Sequence, residues 1–370
     1  MIKEKTNYPD YFLIIIVAAL SILGFLVSVK VFANVSQQRF GETTYYLFHQ
    51  LIYGFLFGGV LAFIAYKTPL AFFKKWSWFF ILTSLVLMVL VFVPGLKISS
   101  GSASRWINFG LFSFQPSELL KLAFIIYLSA LLASKTSEQR SKKKWELTLA
   151  PFVIVLGFIV LLLYFQSDLS TLGVITAAAI IVYFSSGMPV WHIVLMVLGG
   201  AGIFVALVAS SFYRMKRIRV LLGLIQDPLG MGYQIKQVLI AIGSGGIFGL
   251  GLGASLRAVY IPHLISDSIF AEISRELGLI GSSILIFLYL LFLWRVIRIS
   301  KNIDDKFAQL LAIGLVSWIC FQAFINIGAM VGILPLTGIP LPFISYGGSH
   351  IAVEMAAVGI LLNISKKSRK

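Results

Sequence analysis

The sequence predicts an all-α polytopic membrane protein with about ten transmembrane helices, both termini cytoplasmic, and a long extracytoplasmic loop between spans seven and eight. Three observations carry this. Hydrophobic residues make up 59% of the 370 and charged residues only 12%, where a soluble domain has about a quarter charged; the mean hydropathy is +0.96. The apolar runs are long and continuous, without the alternation of membrane strands, so each must be a helix that satisfies its own backbone. Finally, Lys and Arg gather between alternate runs, the asymmetry that orients membrane proteins.

The expected span cores are Tyr11–Phe32, Tyr45–Tyr66, Trp76–Val93, Glu118–Ala133, Leu149–Phe165, Thr171–Ser186, Trp191–Ser210, Ser268–Leu293, Phe307–Val331 and Ile351–Ile364, each near the ~20 residues a bilayer needs. Met1–Asp10 is short and polar and does not read as a cleavable signal. With the N-terminus inside, the inner segments hold Lys67, Lys74, Lys75, Lys135, Arg140, Lys142–Lys144, Arg295, Arg298, Lys301 and Lys306. The short outer loops hold only Lys30, Arg39, Lys97 and Arg105. The formal charge of +16 is thus a topology signal, and no nucleic-acid partner is expected. The chain reads as one integral membrane domain, 1–370, with outer loops near 94–117 and 211–266. The single cysteine, Cys320, lies in an apolar run and has no pairing or metal-ligating companion.

Polar residues collect in five places. In the 94–117 loop, Gln115-Pro116-Ser117 turns into a helix, and Glu118 and Lys121 stand three apart on one face. They are either a neutralising pair or, with Arg105, an outward-facing anion site. Asp168, in the short turn before the sixth span, is placed to cap that helix. The 211–266 segment opens with Arg214, Lys216, Arg217 and Arg219 and continues through Lys236 into a glycine-rich apolar stretch holding Gly243, Gly245 and Gly246. That stretch is too apolar to be solvated and reads as re-entrant or interfacial. Its cations suit a lipid headgroup or, on the outer side, a diphosphate.

The fourth place is the start of span eight. Glu272, Arg275 and Glu276 have helical spacing and can pair, while Asp267 stands just before them. Asp267 is either a helix cap or a carboxylate whose surroundings suit a general base. The fifth is Met330–His350, where three prolines and four glycines interrupt a helical region; broken helices at membrane depth line cavities, and Ser345, Tyr346 and Ser349 offer polar contacts there. The histidines are scattered, without zinc spacing.

Together these segments resemble the FtsW/RodA (SEDS) family of cell-wall polymerases, from about Ser99 to the C-terminus. The family's RW…G…QPSE…K block is similar to Arg105-Trp106, Gly110, Gln115–Glu118 and Lys121. Its aspartate turn corresponds to Gln166, Asp168 and Leu169, and its DPLGxGYQ and glycine-rich block to Asp227–Gln234, Gln237, Ile240–Gly246 and Gly249–Gly253. The TGIPLPFISYGGS signature is unbroken at Thr337–Ser349. Tyr260, Pro262, Asp267, Ile269–Ala271 and Glu276–Gly278 match a further segment, although His263-Leu264-Ile265-Ser266 departs from the family's usual Glu-Ala-His-Thr.

The resemblance implies a multi-pass protein of the bacterial cytoplasmic membrane that polymerises lipid II into glycan strands on the outer face. Undecaprenyl diphosphate would be the leaving group and Asp267 the general base. It implies substrate contacts from Arg105, Glu118, Lys121, Arg214, Arg217, Lys236, Ser345 and Ser349. A magnesium or manganese ion could assist by neutralising the leaving group; no organic cofactor is expected. The implied partners are membrane lipid, a class B penicillin-binding protein and other division or elongation proteins. The short spacing from Gly253 to Tyr260 is closer to the division (FtsW) branch. The competing readings are a flippase or transporter of the lipid-linked precursor and a non-catalytic scaffold. A transporter needs charges along a path through the bilayer, whereas the polar residues here collect at the outer face.

Overall fold

The apolar runs fold as helices in the computed structural model, which describes residues 8–95, 97–100, 103–108, 110, 113–136, 146–187, 190–225, 227, 230–252 and 264–368. Helix α1 (Tyr11–Phe40) starts where the Asp10 carboxylate accepts the amide of Leu13 at 2.9 Å. The next span is composite: α2 (Tyr45–His49), a π-helical stretch (Gln50–Leu56) and α3 (Phe57–Lys67). Pro69 then separates α3 from α4 (Leu70–Lys75), and Trp76 lies between α4 and α5 (Ser77–Leu90). Four further helices, α6 (Pro116–Thr136), α7 (Glu146–Phe165), α8 (Leu169–Ser185) and α9 (Val190–Ala209), precede the short α10 (Phe212–Leu221) and α11 (Met231–Ser244). The chain closes with α12 (Ile269–Lys301), α13 (Lys306–Met330) and α14 (Gly348–Ser365).

Seven of these helical segments are long and apolar enough to cross a membrane, and three shorter apolar helices, Ser77–Leu90, Ala150–Phe165 and Leu169–Ser185, fall on the expected third, fifth and sixth spans. One element departs from the all-α expectation. The 94–117 loop carries a three-stranded antiparallel sheet of β1 (Lys97–Ser100), β2 (Ala103–Asn108) and β3 (Ser113–Phe114), with Ile107 opposite Phe114. Such short strands give too little alternation to stand out between apolar runs.

Helix α13 is the axis of the bundle. It packs on α6, α8, α12 and α14 and is buried along its length, whereas α9 lies at the periphery. One end of the bundle carries the sheet, α10 and α11. At the opposite end, Arg295 of α12 holds the Asp10 carboxylate through Nε at 2.9 Å, and the Asp10 amide donates to Ser365 Oγ at 3.0 Å, tying α1, α12 and α14 together.

The glycine-rich segment after α11 packs against a break in α12. Helix α12 is interrupted at Gly278 (φ 67°, ψ −163°). At the interruption, two carbonyls and two amides of α12 pair with the chain after α11. Leu250 and Gly251 donate to the carbonyls of Arg275 and Glu276 at 3.0 and 3.1 Å, while Leu279 and Ile280 donate to Gly246 and Ile247 at 2.9 and 3.2 Å. In an apolar setting each group left unpaired would cost about 1–3 kcal/mol. The backbones approach so closely that a Cβ on Gly249 (φ 83°) would collide with the Glu276 carbonyl. Gly249→Ala is therefore expected to lower the thermal unfolding midpoint more than Gly41→Ala. Gly41 shares the left-handed backbone (φ 74°) but has open space around it; equal shifts would show that φ alone, at about 1–3 kcal/mol, accounts for the loss.

Candidate functional site

The site is assembled at the sheet end of the bundle by an irregular loop, Leu336–Gly347, threaded between α13 and α14. Irregular backbone inside a membrane protein must have each polar group paired, and here buried side chains do the pairing. Asn326 of α13 donates to the Ile339 carbonyl at 2.7 Å, and Gln322, one turn earlier, to that of Pro340 at 3.1 Å. Tyr289 of α12 donates to the Pro342 carbonyl at 2.6 Å. Glu354 of α14 accepts the amide of Phe343 at 2.8 Å, pinning a non-glycine residue at φ 64°. Gln50, at the head of the π-helical stretch, donates to the Ser345 carbonyl at 3.1 Å and accepts from the Gly347 amide at 2.9 Å. The bulge thus aims a side chain at the loop, a recurrent use of π-helical turns.

Asp267 sits against this loop with a relative exposure of 9%. Ser266 Oγ donates to its Oδ1 at 2.8 Å, and a Cβ on Gly338 would lie 3.9 Å from Oδ2. Asn326 Nδ2 spends its second proton on the Asp267 backbone carbonyl at 2.8 Å, and the Tyr346 amide donates to the Ile265 carbonyl at 2.8 Å. The capping position of α12 belongs to Ser268, whose side chain makes no capping bond. Asp168, in contrast, caps α8 by accepting from Thr171 N at 3.3 Å and Thr171 Oγ1 at 2.8 Å.

Glu118 and Lys121 form the pair their spacing predicts, at 2.8 Å, but within the bundle, each about 1% exposed. Lys121 Nζ also donates to Gln322 Oε1 at 2.6 Å and lies over the Trp318 ring, and Gln322 Nε2 reaches Glu354 Oε1 at 3.3 Å. The lysine charge is spent in a buried network beneath the loop. Arg275 likewise pairs with Glu272 at 2.5 Å, both buried.

The other basic candidates are divided. Arg105 donates to the carbonyls of Gln166 and Ser167, clamping the turn before α8, in which Ser167 has φ 55°. Arg214 donates to Leu207 O at 2.9 Å at the end of α9 and stacks on Tyr164. Arg217 donates to Leu336 O at 2.8 Å, which brings it to the loop beside Asp267, and Ser170 holds the next carbonyl, Thr337 O, at 2.8 Å. Lys216 pairs with Asp227 at 3.0 Å and, by its hydrogen bond, holds that carboxyl below the usual aspartate range. Lys236 is exposed on α11 and makes no ion pair among the described residues. Ser345 is turned inward, accepting the Leu341 amide at 2.8 Å; Ser349 is buried, and its hydroxyl has no partner among the described residues. Arg257, Tyr260, Pro262 and His263 lie outside the described residues. No three His, Cys, Asp or Glu side chains converge among the described residues.

Sequence reasoning missed Gln50, Gln322, Asn326 and Glu354. Trp318, Gln322 and Asn326 recur every four residues along one face of an otherwise apolar helix, and Glu354 is a carboxylate within a span. Both are patterns that membrane helices rarely carry without use.

The fold and site define a multi-pass helical membrane protein whose Asp267 carboxylate stands against a loop held by buried side chains. The FtsW/RodA/SpoVE family model, described as "Cell cycle protein", matches residues 11–370. The stage V sporulation protein E of Bacillus subtilis is 37% identical over the full length of both chains. A probable peptidoglycan glycosyltransferase FtsW of Nitrosococcus halophilus is 36% identical, over 99% of this chain and 94% of its own. Among solved structures, a chain of a peptidoglycan synthase complex that coordinates polymerization and crosslinking superposes with a TM-score of 0.77 at 24% identity, covering 96% of this chain and 97% of that one. The rod-shape-determining protein RodA of Thermus thermophilus gives 0.71 at 23% identity, covering 98% of each. The chain belongs to the FtsW/RodA/SpoVE family.

Proposed function

We propose that the chain is a peptidoglycan glycosyltransferase that polymerises lipid II into glycan strands on the outer face of the bacterial cytoplasmic membrane, in cell division or elongation. The observation that carries this is Asp267, held at the bundle end against the signature loop, with Ser266 fixing its Oδ1. Ten spans with both termini cytoplasmic put that end outside. In the reaction, Asp267 takes the proton of one sugar's 4-hydroxyl. The oxygen attacks the anomeric carbon of the second sugar from the face opposite its diphosphate. The carbon–oxygen bond to undecaprenyl diphosphate breaks with inversion, and the leaving group keeps the electron pair. A carboxylate in this role contributes about 10²–10⁴-fold.

Positive charge for the diphosphate comes from Lys236, which is exposed, and from Arg214 and Arg217, which are half-buried. Any magnesium or manganese that takes part arrives on the diphosphate. Arg105, Glu118, Lys121, Ser345 and Ser349 serve by framing the site from behind. The relative whose complex couples polymerization with crosslinking supports a class B penicillin-binding protein as partner.

A transporter reading gains one argument from the structure: the buried Glu118, Lys121 and Glu354 put charge inside the bundle. A purified-component assay separates the two. The full-length chain in detergent, with its transpeptidase partner and lipid II, should yield glycan polymer with no membrane or gradient present. Absence of polymer, together with lipid II translocation in sealed vesicles, would transfer the assignment to transport.

A further inference from the structure

We infer that Asn326 is a positioning residue for the reaction: its side-chain amide ties the Asp267 backbone to the signature loop and so fixes where the carboxylate stands. The inference rests on the reading of Asp267 as the base.

An amide nitrogen has two protons, and Asn326 Nδ2 gives one to Asp267 O at 2.8 Å and the other to Ile339 O at 2.7 Å. Both partners are backbone carbonyls, which only accept, so the amide can face them only with its nitrogen. The residue is 1% exposed, which removes water as a competitor for either bond. Asp267 stands just before α12, while Ile339 belongs to the loop that faces the carboxylate. One side chain therefore spans the two halves of the site, and it stands on α13, a helix buried along most of its length. A catalytic group must be held to well under an ångström, because a 1 Å misplacement can cost about 10²-fold in rate.

Asn363 supplies a matched comparison. It too is buried, in α14, and it too donates Nδ2 to two backbone carbonyls, Ala65 O at 3.1 Å and Thr68 O at 2.5 Å, at the far end of the helix from the loop. Asn326→Ala and Asn363→Ala remove the same chemistry, one beside Asp267 and one far from it.

The test measures lipid II polymerisation and thermal unfolding of the full-length chain with its transpeptidase partner. Asn326→Ala is expected to lower kcat per folded molecule by about 10- to 100-fold with KM for lipid II within about twofold. Asn363→Ala should lower the unfolding midpoint similarly and keep kcat within about twofold. If both variants lose activity only in proportion to folded protein, or if Asn326→Ala keeps its kcat, the inference falls. Should Asn326→Ala fail to fold, Asn326→Ser, which retains one donor, is held to the same outcomes. Asp267→Asn runs alongside: full activity there overturns the base assignment itself, while its inactivity beside an unimpaired Asn326→Ala overturns only the positioning role.

Discussion

Asp267→Asn is expected to abolish glycan formation from purified lipid II while the protein folds, inserts and binds its partner as before. The substitution is nearly isosteric and keeps an oxygen to accept the Ser266 hydroxyl, now 2.8 Å from Oδ1. It exchanges only a group able to take a proton for one that cannot. The backbone bond from Asn326 is indifferent to the change, because it ends on the main-chain carbonyl. Loss of a general base costs about 10²–10⁴-fold, so residual polymer should sit at or below the detection limit of a gel assay. An unchanged unfolding midpoint would show that the loss is chemical. Full polymerisation by the variant would instead move the base to another group, and the scaffold reading would be revived by cells growing normally on Asp267→Asn alone.

Lys121→Met should produce the largest loss of stability. The substitution keeps most of the aliphatic volume but strands Glu118, which is about 1% exposed and takes its ion pair from Lys121 at 2.8 Å. Breaking a buried pair from one side costs about 3–5 kcal/mol, much more than replacing both members. The variant should therefore unfold at a clearly lower temperature and accumulate poorly. The double substitution Glu118→Gln with Lys121→Met should recover a large part of the loss, since it removes the uncompensated charge. A double variant no better than the single one would show that the lysine matters through Gln322 and Trp318, and not through neutralising Glu118.

The helices were legible because continuous apolar runs leave a chain no other way to satisfy its backbone in lipid. Asp267 was legible as a carboxylate at the edge of a span, and the helical spacing of Glu118 with Lys121 and of Glu272 with Arg275 foretold both ion pairs. The rest depended on partners that a sequence does not display. Arg105 and Arg214 read as anion ligands; that main-chain carbonyls of Gln166 and Leu207 also hold their guanidinium groups is not visible in a sequence, because every stretch of sequence has carbonyls. Asn326 and Glu354 are single polar letters in apolar runs, and their use appears only when the loop from Leu336 to Gly347 folds back beside them. The interruption at Gly278 was hidden because Glu-Leu-Gly-Leu-Ile-Gly reads as an unbroken helix; the loop that repairs it lies some thirty positions earlier.

That interruption also divides α12 into a mast and a platform. Leu279–Lys301 alone runs roughly 34 Å at ~1.5 Å per residue, enough to cross a hydrocarbon layer of about 30 Å. The turns from Ile269 to Leu277 can therefore stand above the lipid altogether. Glu272, Arg275 and Glu276 need no insertion into hydrocarbon, and their burial is against protein. Set on this platform, Asp267 would stand above the bilayer, at the height where, on the function proposed above, the sugar head of a lipid-linked substrate would meet it while the prenyl tail stays in the membrane below.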